Sequence, residues 1–273
     1  MKKFVRALMA VALFFGTAMA FADEPTWPEL QSVYFQGIPA KGIKKVTITL
    51  KGEALVITKA EDENIGIRVE SNFSSANPIV NADAKSIKIE QKDKTNKLNG
   101  RNVIVTLMLP EGFEFGDLVI TQDTGALTLG TIKGANITVT SAKGSINAES
   151  LTADKLLKLS SPSGDITIQS IKAKNLEAET LKGTLTLKGV EADTFTVAAE
   201  KGTLEMDVTK MFEKDASVSV GSGNANIYLP DGADFWTTGT VERGRFRSSF
   251  PQDSKGALLK VKVGSGELQV TKR

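Results

Sequence analysis

The 273-residue sequence contains no cysteine and no histidine. That double absence removes several chemistries together. No Cys/His zinc site can be built, no Ser–His–Asp or Cys–His nucleophile, no disulfide framework and no cysteine-linked lipid. Carboxylate, lysine, serine and oxygen-ligated metal chemistry stay open, as does a protein with no chemistry of its own. Long apolar runs are scarce as well. The one from Ala7 to Ala20 is uncharged, follows Lys2, Lys3 and Arg6, and ends among small residues. It is short for a membrane span, and its layout is that of a secretory signal peptide over residues 1–22, with cleavage expected after Ala22. No later run approaches the ~20 apolar residues of a spanning helix, so the mature chain is expected to be exported, without a transmembrane segment, to the periplasm, cell surface or medium.

An excess of one charge is missing too. Of 34 basic side chains, segment 1–22 holds three and none of the 32 acidic ones, which leaves 31 against 32 in the mature chain. A balanced charge gives no reason to expect a nucleic-acid partner. Helical periodicity is also lacking throughout the mature chain.

What is present is a repeat. Glycines that follow Thr, Lys or Ser stand at Gly125, Gly144, Gly164, Gly183 and Gly202, at intervals of 19 or 20 residues. Apolar pairs precede them (Leu118/Ile120, Ile137/Val139, Leu157/Leu159) and follow them (Leu127/Leu129, Ile166/Ile168, Leu185/Leu187) with a period of two. Alternation of that kind means strands with one face inward. A unit of this size cannot bury its apolar face alone, so neighbours must stack. The expected fold is all-β: a single-stranded parallel β-solenoid with rungs of 19–22 residues, right-handed by the preference of parallel crossovers. The glycines serve as turn residues because they accept positive φ. Looser spacing continues through Gly223, Gly244 and Gly266. Residues 110–208 form the regular repeats, 46–109 irregular first rungs and 209–273 looser C-terminal rungs, after a 23–45 leader whose Trp27 and Tyr34 could close the apolar end. Segments 71–86 and 91–101 read as exposed loops.

The run Lys44-Lys45-Val46-Thr47-Ile48, leading to Gly52 and Leu55-Val56-Ile57, resembles the opening of a bacterial β-solenoid family catalogued as putative adhesin, or toastrack. The Leu109-Pro110-Glu111-Gly112 step, its echo at Leu229-Pro230-Asp231-Gly232, and the turn Ser163-Gly164-Asp165-Ile166 are similar to motifs of that family. The resemblance spans about residues 40–271. It implies the solenoid fold and a non-catalytic role in the cell envelope or on the surface, with no catalytic residue to carry over and no cofactor. Family members linked to envelope-stress sensing often have extra membrane helices, which are missing here; a periplasmic accessory role in such signalling is the alternative.

Few residues point to chemistry. Glu61-Asp62-Glu63-Asn64 lacks the spaced order of a calcium loop and reads as a solvated turn. The outward ladder Thr128, Asn147, Thr167, Thr186 and Glu205 holds no acid–base pair, which disfavours a carbohydrate-active β-helix enzyme. Lys143, Lys182 and Lys201 alternate with acidic neighbours and make a mixed field. The lopsided region is the C-terminus, where from Val241 onward eight basic residues face three acidic ones. Phe246 should point inward, placing Arg245 and Arg247 together outside; Arg243, Lys260 and Lys262 complete a basic patch suited to an acidic glycan or lipid headgroup.

Overall fold

Period-two alternation of Val, Ile and Leu with Thr, Lys and Glu produces extended chain almost everywhere in the computed structural model, which describes residues 28–74, 76, 78–91, 102–231, 235–250 and 256–273. Among these there are sixteen strands and no helix. The regular part is built from β8 (Phe115–Thr124), β9 (Leu127–Lys143), β10 (Ile146–Ser163), β11 (Ile166–Ile168), β12 (Ile171–Lys210) and β13 (Ala216–Leu229). All pair in parallel, in the registers Leu127↔Ile146, Ile137↔Leu157, Leu157↔Leu176, Ile166↔Leu185 and Val197↔Val218. The chain is β-solenoid-like. Leu127, Ile137, Ile146, Leu157, Ile166, Leu185 and Leu204 are all fully buried. Each such side chain contributes about 1.5–3 kcal/mol by leaving water, which is what drives the stacking.

At both ends the spatial order departs from the order in sequence. The coil made by β2 (Lys45–Leu50) and β3 (Ala54–Lys59) lies inside. β2 pairs with both β8 and β6 (Ser86–Glu90), and β3 with both β9 and β7 (Val103–Leu109). At the other end β16 (Ala257–Lys272) sits directly on β13, with Val218↔Val261 in register. The earlier segments β14 (Phe235–Val241) and β15 (Arg245–Ser248) pair with the far side of β16 and form the outermost rung. The Gly223, Gly244 and Gly266 units therefore do not stack in sequence order: an alternating strand satisfies its inward face beside any rung.

The N-terminal end also changes direction. β4 (Asn64–Ser71) runs antiparallel to β7, and β1 (Gln31–Pro39) antiparallel to β4. β5 (Ile79–Ala82) runs antiparallel to β6, so part of the 71–86 segment expected as loop is strand. Tyr34 packs half-buried on the core. Trp27, residues 1–22 and residues 92–101 lie outside the described residues. No helix among the described residues is long and apolar enough to cross a membrane.

The turn glycines meet the expected requirement only in part. Of the five, Gly125 and Gly183 have positive φ, whereas Gly144, Gly164 and Gly202 do not. At each glycine after the first, an added Cβ would run into the carbonyl oxygen of the glycine one rung before. The column runs Gly125, Gly144, Gly164, Gly183, Gly202, Gly223, Gly266 and Gly244, repeating the exchanged order at the C-terminal end. Close backbone approach, not backbone conformation, is the shared requirement. Beside this column the inward position is polar on four successive rungs: Gln122, Ser141, Ser161 and Thr180, all buried. The Thr180 hydroxyl donates to the Ser161 carbonyl at 2.9 Å and the Ser161 hydroxyl to the Gly144 carbonyl at 3.1 Å. The Gln122 amide donates to the Glu53 carbonyl. Gln122, Ser161 and Thr180 thus each give a backbone carbonyl near the corner a side-chain donor, whereas the Ser141 hydroxyl is buried without a partner among the described residues.

Candidate binding surface at the C-terminal rung

The outermost rung differs from the rungs beneath it in what it turns inward. Where β16 directs Leu259, Val261, Val263, Leu268 and Val270 into the core, the corresponding positions of β14 and β15 are Thr237, Gly239, Val241, Phe246 and Ser248. Phe246 lies half-buried against the core, and its ring fills the space that a Cβ on Gly239 would take. The Thr237 and Ser248 hydroxyls are 3.1 Å apart, and the Phe250 N–H donates to the Ser248 hydroxyl at 3.1 Å. The Lys272 ammonium stands 5.7 Å from the Phe250 ring centroid. The stack thus ends on the Phe246 ring, the buried Phe250 ring and a small polar network in place of an aliphatic layer.

With Phe246 turned inward, strand alternation puts Arg245 and Arg247 side by side on the outer face, both exposed. The five residues of the basic patch are not equivalent. Arg247 Nε lies 3.3 Å from Glu267 Oε1, and Lys260 Nζ lies 3.3 Å from Asp215 Oδ2. Lys262 borders a groove of about 570 Å³ that also has Glu179, Glu200 and Glu242 on its walls and Gly221 and Gly264 among its lining. Arg243 and Arg245 form no ion pair among the described residues. Further along the chain, Lys272 pairs with Asp231 at 2.7 Å and Arg273 with Asp207 at 3.1 Å. The lysines thus mostly carry local counterions, and the unpaired guanidinium groups gather at the very end. Lys255 lies outside the described residues.

The remaining candidates stay scattered. Thr128, Asn147 and Glu205 are exposed on successive rungs, with Thr167 and Thr186 half-buried between them. Lys143, Lys182 and Lys201 are exposed beside the glycine column. In the Glu61–Asn64 turn, Asp62 accepts the Asn64 N–H at 2.8 Å, an ordinary turn contact. No group of three or more acidic residues able to hold a metal ion occurs among the described residues. The glycine-floored groove beside Lys262 was not legible in the sequence. Its one signal is Gly221 and Gly264, each two residues before a glycine of the main column.

A parallel stack of this kind, closed by antiparallel strands at one end and ending on a basic rung at the other, defines a β-solenoid-like protein. Residues 43–272 match the Toastrack DUF4097 family, and the chain belongs to it. Two solved structures show the same fold. One, a putative adhesin from Bacteroides fragilis, is 11% identical with a TM-score of 0.54; the other, a putative adhesin from Parabacteroides distasonis, is 14% identical with a TM-score of 0.50. Each alignment covers 87% of this chain and 96% of the other. None of the curated proteins matches this sequence.

Proposed function

We propose that this protein is an exported, non-catalytic scaffold of the cell envelope or surface, which holds its basic C-terminal rung against an anionic ligand. The rungs, winding right-handed with 19–22 residues each, give a rod stiff enough to present that end at a fixed distance. The observation that carries the reading is the arrangement of Arg245 and Arg247. They flank Phe246 on the outermost rung, exposed, where the neighbouring Lys260 is already paired with Asp215. Guanidinium forks bind carboxylate and phosphate through paired hydrogen bonds, so an acidic glycan or a lipid headgroup supplies the matching chemistry. The adhesin descriptions of the structural neighbours agree with a binding role at a surface. An N-terminal signal segment agrees with export.

The test is sedimentation of the purified mature chain with vesicles containing anionic lipid, and with an acidic polysaccharide, at low and physiological salt. Binding that weakens with salt and is lost in the Arg245→Glu/Arg247→Glu variant supports the reading. Binding unchanged by that double reversal, or none to lose, overturns it.

A further inference from the structure

The hydrogen-bond direction along the stack identifies a second property of the end rung. In the body of the solenoid, inward-facing residues direct their N–H groups to the rung that follows. Leu127 donates to Ser145, Ile146 to Asp165 and Leu151 to Ser170, at 2.9–3.0 Å. Outward-facing residues direct theirs backward, as Gln169 does to Ala148. The end rung keeps this rule. Glu242 and Ser249 donate back toward β16, to the carbonyls of Val263 and Val270, and Arg243, in the bend after β14, donates to that of Gly264. Its inward positions Gly239, Val241, Phe246 and Ser248 therefore aim their backbone groups at the open side, where no strand pairs with β14 or β15 among the described residues. Such an edge is a template for another strand.

We propose that this edge is a strand-addition site for an extended acidic segment of a partner protein, with carboxylates at alternate positions. β16 already shows the pairing that such a segment would repeat. On the inner side of β15, Glu267 stands in register with Arg245 and is ion-paired to Arg247. A segment added on the outer side places its own outward side chains beside the same two arginines, and its inward ones over the Phe246 ring. Arg245 has no ion-pair partner among the described residues, so its fork is available to that side. Main-chain bonds supply affinity in this mode, and the alternate side chains supply selectivity. A second copy of this chain docked end to end through the same rung is disfavoured, because it would oppose arginine to arginine. The inference uses the same end rung as the proposed function but requires neither a glycan nor a headgroup.

The experiment is fluorescence titration of the mature protein with three synthetic peptides of about ten residues. The first alternates glutamate with valine, the second has lysine for glutamate, and the third is the acidic peptide with alternate backbone nitrogens methylated. The acidic peptide should bind, and N-methylation should weaken it at least about tenfold, because charge is kept while the ladder donors are removed. The Arg245→Glu/Arg247→Glu variant should lose the acidic peptide and gain the lysine one, a gain that a misfolded protein could not show. If the methylated and unmethylated acidic peptides bind equally, the rung recognises charge alone and strand addition is overturned. If vesicles or polysaccharide bind and the acidic peptide does not, the inference fails while the proposed function stands. If the peptide binds and neither vesicles nor polysaccharide do, the inference stands without that ligand class.

Discussion

The two ends of the solenoid solve the same problem differently. Each must finish a column of parallel rungs, and each does so with an exchanged order, the coil of 45–59 lying inside that of 86–109 and the coil of 257–272 inside that of 235–248. The N-terminal end then reverses direction. β4 and β1 run antiparallel, and β4 places Ile65, Ile67 and Val69, all fully buried, over the last aliphatic layer. The C-terminal end stays parallel and closes on Phe246, Thr237 and Ser248. An end sealed by apolar side chains is a structural terminus. An end with polar closure, exposed guanidinium groups and backbone groups aimed outward is suited to receive something.

Five substitutions sharpen that contrast, and the first has the largest effect. Leu185→Asp, in the fully buried middle, should unfold the protein, because an unpaired buried charge costs several kcal/mol. Phe246→Asp, half open to water on the end rung, should cost about 1–2 kcal/mol and leave a cooperative transition. Chemical denaturation followed by circular dichroism separates them, and equal losses would mean that the end rung is as much core as the middle. Gly202→Ala comes next. Its new Cβ meets the backbone carbonyl of Gly183, and since backbone cannot swing aside, a loss of about 1–3 kcal/mol is expected in the same assay. At Gly112, where no atom would touch the added carbon, Ala meets only the cost of a positive φ and should lose less. Thr180→Val removes a buried hydroxyl donating to Ser161 while keeping the shape. About 1–2 kcal/mol should be lost, read as a lower thermal midpoint.

Much of the middle was legible because local chemistry and long-range packing ask for the same pattern there. Leu157, Ile166 and Leu185 alternate with polar residues, and all three are buried. Rung order was not legible, since Val218 suits Val261 as well as it would have suited a strand nearer in sequence. The polar column was within reach: extending Leu118/Ile120, Ile137/Val139, Leu157/Leu159 and Leu176/Ala178 by one more step of two gives Gln122, Ser141, Ser161 and Thr180. Serine and threonine beside a glycine turn look like surface residues until the carbonyls they serve are seen. At the C-terminus, alternation around Phe246 placed Arg245 and Arg247 outward, but which basic residues carry counterions depends on Asp215 and Glu267 arriving from other strands.

Residues 235–248 form the exposed end of the stack, with β16 between them and β13. The absence of native cysteine makes this directly measurable by disulfide trapping. Ser219 and Lys262 are in register on adjacent rungs, ~4.8 Å apart, within the reach of about 4.4–6.8 Å between Cα atoms that a disulfide allows. Lys262 is in turn in register with Thr240, which puts Thr240 two rungs from Ser219, at ~9.6 Å. Under mild oxidation the Ser219→Cys/Lys262→Cys protein should cross-link within the chain and the Ser219→Cys/Thr240→Cys protein should not. Efficient cross-linking of the second pair with none in the first would put residues 235–248 inside the stack and contradict the account.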